Sequence, residues 1–304
     1  MITAILTMFF SWCLLFGKIP IPLLIAVALF LGAFFAYFTR HDHSAYLFID
    51  VLAQKSRLRT VNPTFKFWAV LALMVICVAS PSIFTGIFLV VVMAVLTVAV
   101  GRVNLHTYVR TLSLPVSFLM IGGLALLFQV GDAHTGVINL DIFGLWLCVT
   151  PASQAQTALV VARAFGAVSC LYLLSLSTPM PSIISVLRRA HCPAVVIDLM
   201  YLIYRYIFIL LSMHHEMYDA AKSRLGLKNY FTSIKATGSL YANLLSRSYQ
   251  FASLNYDAME SRCYNSEINF IEHRNSLTAF QASIAVVIGA LCIVLCFQPL
   301  LLPL

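Results

Sequence analysis

Long apolar runs separated by short polar and basic segments set the pattern of this chain. Ile2–Phe16 and Ile19–Phe38 are apolar, divided by Gly17-Lys18 and the Pro20/Pro22 pair, and predict either two short spans or one long kinked one. The loop Arg40–Lys66 follows, carrying Arg40, Lys55, Arg57, Arg59 and Lys66. Phe67–Ala79 and Ile83–Val100 come next, joined by Ser80-Pro81-Ser82, and are followed by Arg102 and Arg110. Leu112–Val130 predicts a crossing outward, Ala158–Ser177 a return, and Ala279–Phe297 a last span. Runs of roughly 20 apolar residues are the length that crosses a bilayer as helix. The expected fold class is therefore all-α, a polytopic helical membrane protein with an inserted helical cytosolic region. The expected organisation is an extra hydrophobic segment at 1–38, a main transmembrane domain at 39–178, cytosolic helices at 179–278 and a last transmembrane helix at 279–298.

Charge gives these spans a direction. Basic loops are expected on the cytoplasmic side, whereas Gly131–Gln156 holds Asp132 and Asp141 with no lysine or arginine and reads as external. Ala194–Met213 is apolar enough to be a span, but a crossing there would put Arg188/Arg189 and the set Lys222, Arg224, Lys228, Lys235 and Arg247 on opposite sides. Asp198 and Arg205 within it add to the cost of a crossing. The whole stretch Thr178–Leu277 is best read as cytoplasmic, with this helix lying along or against the membrane domain.

Composition agrees with the pattern. Hydrophobic residues make up 61% of the 304 and charged residues 10%, against about 25% charged in soluble domains. The net charge of +8 lies between apolar spans rather than on one face, so a nucleic-acid partner is not expected and a lipid bilayer is. Eight cysteines show no Cys-x-x-Cys pair and no zinc-like spacing; Cys13, Cys77, Cys148 and Cys170 sit in apolar surroundings, and Cys292 and Cys296 share one helix face. They read as small hydrophobes within spans. The first charge is Lys18, so no basic signal-peptide start is present and the N-terminus reads as a retained membrane segment.

Chemistry is mainly conspicuous by what the sequence omits. There is no Gly-x-x-x-x-Gly-Lys-Ser/Thr motif, so no nucleotide site of the P-loop type is expected. None of the eleven carboxylates falls within a firmly expected span, where coupled carriers place them. Any pumping would be driven by a partner, and no cofactor is expected in this chain. His41/His43 around Asp42, and His214-His215 beside Glu216, are donors that suit nickel or cobalt, but neither spacing converges on a helix. Arg163 and Arg205 read either as functional intramembrane charges or, since both are expected near span borders, equally well as snorkelling side chains.

Two blocks stand out in the polar stretch Tyr201–Tyr264: Ala220-Ala221-Lys222-Ser223-Arg224-Leu225-Gly226 and Ala258-Met259-Glu260-Ser261-Arg262-Cys263-Tyr264. Each ends a helix-compatible run with small residues before an arginine, and Gly226 is expected at the helix C′ position. A planar guanidinium offers a fixed fork of donors to a carboxylate. Two docking tips and two solvated basic helix ends both fit this spacing.

At these blocks the sequence resembles the transmembrane T component of energy-coupling-factor (ECF) transporters, most closely the cobalt-type branch. The family's pair of Ala-Arg-Gly-like motifs corresponds to Ser223-Arg224-Leu225, within Ser-Arg-Leu-Gly226, and to Ser261-Arg262-Cys263. The likeness extends to Asn62-Pro63-x-x-Lys66, to Leu176-Ser177-Thr178-Pro179-Met180, and to Leu199–Tyr206 ending Tyr204-Arg205-Tyr206; it covers about Ile49 to Leu295. Cys263 departs from the family's usual Gly, and Met1–Phe38 lies before its usual start. The resemblance implies a non-catalytic scaffold in a bacterial plasma membrane. It would join a substrate-binding membrane subunit to a pair of cytosolic ATPase subunits, which bind the ATP and seat the two arginines in grooves, for cobalt or nickel uptake. The competing reading is a self-contained permease or channel, disfavoured by the scarcity of ionisable residues in the spans.

Overall fold

A computed structural model describes residues 2–15, 29, 53–54, 56–130, 138–142, 145–264 and 279–301. His41, Asp42, His43 and nearly all of Ile19–Phe38 lie outside the described residues. The chain divides into two compact units, Met1–Pro179 with Arg274–Leu304, and Met180–His273.

The first unit contains α1 (Ile2–Leu15), a 3-10 turn (Arg57–Thr60), α2 (Pro63–Ala79), α3 (Ile83–Val95, continued by a π turn at Leu96–Val100) and α4 (Leu105–Leu127). A small sheet follows, β1 (Gln129–Val130), β2 (Ile138–Ile142) and β3 (Leu145–Val149), and then α5 (Pro151–Ser177). The helix α9 (Ala279–Leu301) completes it. α5 is the centre: α2, α3 and α4 all pack on it, while α1 packs on α4 and α9 on α2 and α3. Val70, Leu73 and Cys77 of α2 meet Leu89 and Met93 of α3, Cys170 and Leu173 of α5 and Cys292 of α9 in one buried cluster. The cysteines in it are free thiols.

Small residues bring the helices together. A Cβ placed at Gly86 would lie 2.5 Å from the Ala162 carbonyl oxygen, and one at Gly166 would lie 2.5 Å from Cys77 Sγ. Lipid tails are as apolar as leucine, so helix association in a bilayer depends on this kind of close backbone approach. The outward faces are apolar and exposed, with Phe84, Val91 and Phe118 among them. In water such a surface would aggregate; facing lipid it needs no cover. Ile83–Val100, Leu105–Leu127 and Pro151–Ser177 are long and apolar enough to cross a membrane. The protein is a helical, multi-pass membrane protein.

Freed backbone groups inside this unit find side-chain partners. Pro115 lies within α4 and removes the hydrogen bond that would reach the Thr111 carbonyl; the Tyr172 hydroxyl of α5 donates to that oxygen at 3.1 Å. At the end of α4, the Ser153 hydroxyl donates to the Leu127 carbonyl at 3.1 Å.

Three expectations need correction. The region expected as a plain external loop holds an antiparallel sheet of order β1-β3-β2, with β2 and β3 paired from Ile138–Val149 to Ile142–Leu145. α5 begins at Pro151 rather than Ala158, because Thr150 and Ser153 form a reciprocal capping box around an N1 proline. Arg163 therefore sits in the middle of a 27-residue helix and not near a span border, with its Nε buried and lacking a hydrogen-bond partner among the described residues.

The second unit contains α6 (Met180–Arg189), α7 (Ala194–Ser223) and α8 (Tyr230–Glu260). α7 packs against both others. Asp198, buried near the start of α7, faces Arg188 of α6 with Nη2 to Oδ1 at 3.7 Å. Further along, the His214 ring stacks on Tyr218 at 6.1 Å and lies 5.8 Å from Tyr241 of α8. α8 buries only Leu240, leaving Tyr230, Phe231, Leu245, Tyr249 and Tyr256 exposed. α7 is also long and apolar enough to cross a membrane by length and composition.

Candidate functional site

The two sequence blocks form the C-terminal ends of α7 and α8, and the two ends are built alike. At the first, Leu225 adopts the left-handed conformation with φ of 58°. The Leu225 N–H donates to the Lys222 carbonyl at 3.0 Å and the Gly226 N–H to the Ala221 carbonyl at 2.9 Å. At the second, Cys263 has φ of 59°. Its N–H donates to the Glu260 carbonyl at 2.9 Å, and the Tyr264 N–H to the Met259 carbonyl at 3.1 Å. Each is a complete Schellman cap, in which the two N–H groups past the helix end satisfy its last free carbonyls. Arg224 and Arg262 occupy the same place in both, one residue before the left-handed position.

The serines match as well. Ser223 Oγ donates to the Asp219 carbonyl at 2.8 Å and Ser261 Oγ to the Ala258 carbonyl at 2.9 Å. With the small hydroxyl folded back on its own helix, each arginine is left as the projecting group. Both arginines are exposed, and among the described residues neither is in an ion pair. Ala220 and Ala258, small and exposed, stand four residues before the two arginines.

The expected C′ role of Gly226 is corrected: Leu225 holds that position and Gly226 follows it. Gly226 serves close approach instead. A Cβ there would lie 3.0 Å from the Ala221 carbonyl oxygen and 3.2 Å from the Ala236 methyl of α8. The glycine lets the end of α7 lie against the second turn of α8. Cys263, by contrast, occupies a backbone conformation that favours glycine, which is the physical content of its departure from the family's usual residue.

His214 and His215 turn to different partners. His214 is held among Tyr218 and Tyr241, while His215 Nδ1 lies 2.7 Å from the Leu211 carbonyl of its own helix. No group of three His, Cys, Asp or Glu side chains able to hold a metal occurs among the described residues.

In the Asn62-Pro63-x-x-Lys66 segment the sequence alone gives the lysine no partner. Asn62 caps α2, its Oδ1 accepting the Thr64 N–H at 3.0 Å with Pro63 at the first helical position. Lys66, one turn on, is 7% exposed. Its Nζ donates to the Leu58 carbonyl at 2.8 Å, the Ser177 carbonyl at 3.0 Å and Ser177 Oγ at 3.2 Å. An ammonium has three donors, and here each has an acceptor. The signal available in sequence was a lysine so close to an apolar run; the partner is 111 residues away.

The family model of the cobalt transport protein CbiQ matches residues 54–272, from just before the 3-10 turn to beyond α8. The chain belongs to the CbiQ family. It is 28% identical over 210 residues to the cobalt transport protein CbiQ of Salmonella typhimurium, covering 67% of this chain and 93% of that one. It is 30% identical over 252 residues to a putative fused cobalt transport protein CbiMQ of Methanocorpusculum labreanum, 80% of this chain and 42% of the fused protein. An uncharacterized protein of Methanocaldococcus jannaschii is 30% identical over 224 residues, 74% of this chain and 83% of its own length. The match to the family includes Lys66, Arg163, Arg224 and Arg262, whereas α1 precedes it. As a CbiQ-family protein the chain is a membrane transport component.

Proposed function

We propose that this chain is the transmembrane scaffold, the T component, of an ATP-driven ECF-type importer in a plasma membrane, taking up cobalt or nickel. Arg224 and Arg262 dock into two cytosolic ATPase subunits, and the membrane unit holds a separate substrate-binding subunit. In this reading α7 and α8 lie on the cytoplasmic side, ATP is bound by the partners, and closure of the ATPases moves the two helix ends.

The observation that carries the proposal is the matched pair of Schellman-capped tips, each presenting one exposed arginine with no ion pair among the described residues. A solitary basic helix end is common, but two with the same cap, the same back-bonded serine and the same projecting guanidinium suit two equivalent acceptors. A helix end seated in a groove is an established mode of recognition. The long exposed apolar faces of α7 and α8 support it further, since such helices are not stable as isolated elements in water.

The test is co-purification of the assembled transporter carrying Arg224→Ala, Arg262→Ala or both. Truncating one partner of a desolvated ion pair costs about 2–5 kcal/mol, whereas an exposed pair is worth about 0–1 kcal/mol. Each single change is expected to weaken ATPase retention and stop uptake, with Arg→Lys restoring part, because the planar fork is lost while the charge is kept. A double alanine variant that assembles and transports normally would remove the docking reading.

A further inference from the structure

The Lys66 anchor sits at the place where the chain passes from one unit to the other. Ser177 is the last residue of α5, Thr178 follows it, and the first unit ends at Pro179. The Ser177 carbonyl is one of the final α5 carbonyls with no partner within the helix. Lys66 supplies that partner from α2 and at the same time holds the Leu58 carbonyl of the 3-10 turn. The Ser177 hydroxyl donates to the Leu173 carbonyl while accepting from Lys66. The charge also lies at the negative end of the α5 dipole, where a cation is favoured. Three elements are thus tied at one buried point, three residues before the Met180–His273 unit begins.

We infer that Lys66 is a positioning residue for energy coupling: it pins the end of α5, so that movement of the Met180–His273 unit is delivered to α2 and α5 instead of being absorbed at a loose junction. The inference rests on the scaffold reading above. The hydrogen bonds of Lys66 all lie within its own unit, so its removal should leave ATPase binding and ATP hydrolysis in place while uptake falls. A merely structural lysine would behave differently. Misfolding reduces the number of working complexes, which lowers hydrolysis and uptake together and leaves their ratio unchanged.

The experiment uses the complete transporter in proteoliposomes, with Co²⁺ alone as the transported probe, and measures ATP hydrolysed per ion imported. Lys66→Met is expected to raise that ratio by about tenfold, within the range for residues that carry coupling between sites. Lys66→Arg keeps the charge but cannot reproduce the three-point geometry, and is expected to fall between. Ser177→Ala removes one acceptor and leaves both carbonyls, which keeps the question answerable where Lys66→Met does not fold; a smaller rise in the same direction is expected. A wild-type ratio in whichever of these variants folds, with hydrolysis and uptake kept or lost in proportion, overturns the inference. The underlying reading fails separately, if Arg224→Ala in the same preparation still retains both ATPases and transports.

Discussion

Leu225 and Cys263 each hold a left-handed conformation that an L-residue enters at a cost of about 1–2 kcal/mol. Replacing either by glycine should relieve that cost, offset by the roughly 0.5–1 kcal/mol that glycine's greater freedom adds to the open state. Leu225 is 68% exposed and Cys263 is exposed, so little packing is lost with either side chain. The net gain is about 0.5–1 kcal/mol per site, a two- to fivefold change in the closed-to-open ratio of each helix end. Hydrogen exchange on the intact chain reads this directly, through the Gly226 and Tyr264 amides that bond to the Ala221 and Met259 carbonyls. Leu225→Gly should protect Gly226, and Cys263→Gly should protect Tyr264, each without affecting the other, because they close different caps. Leu225→Ala is the control: alanine meets the same steric penalty as leucine and should give no gain. Equal protection in the alanine and glycine variants, or weaker protection in glycine, would refute the claim that the caps are strained.

Two further outcomes test other parts of the structure. Gly166→Val should separate α5 from α2 and α3, because its Cβ position lies 2.5 Å from Cys77 Sγ; overpacking of this kind costs about 1–3 kcal/mol and should appear as a lower melting temperature in detergent. Reporter fusions or cysteine accessibility should place Lys228 and Lys235 on the cytoplasmic side and Asp141 outside, and labelling of Arg189 and Lys228 positions from opposite sides would overturn the cytoplasmic reading of α7.

The apolar spans were legible because lipid demands long uninterrupted runs, and composition alone states that demand. Their ends were less so. Hydropathy started α5 at Ala158, since Ser153, Gln154 and Gln156 are polar; the capping box that begins the helix is itself made of polar residues. That displacement carried Arg163 to a supposed border. The sheet was missed because strands as short as Gln129–Val130 leave almost no period to read. Gly226 was assigned to the left-handed position by the ordinary preference for glycine there, while the fold needs it one residue on, where the Ala236 methyl leaves no room for a Cβ. The place of Arg224 and Arg262 at helix ends was legible from a local pattern. The Lys66 anchor was not found, because its meaning lies in an acceptor from a distant part of the chain.

The matched tips have a consequence for spacing. Gly226 lies against Ala236, so Arg224 sits beside the start of α8, while Arg262 follows its far end. The 31 residues of α8 extend about 46 Å at 1.5 Å per residue, and this one helix holds the two arginines apart. If both engage ATPases at once, the second contact is intramolecular and adds avidity of about 10²- to 10⁴-fold over one tip alone. Inserting seven residues in the exposed middle of α8 would lengthen it by about 10 Å while turning the far tip by only about 20°. Such a variant should fold, retain each cap, and bind the ATPase pair with the affinity of a single tip. Adding Arg262→Ala to it should then change nothing further, whereas in the native helix the same substitution is costly. Wild-type assembly by the lengthened helix would show that the two arginines act independently, and that α8 sets no distance between them.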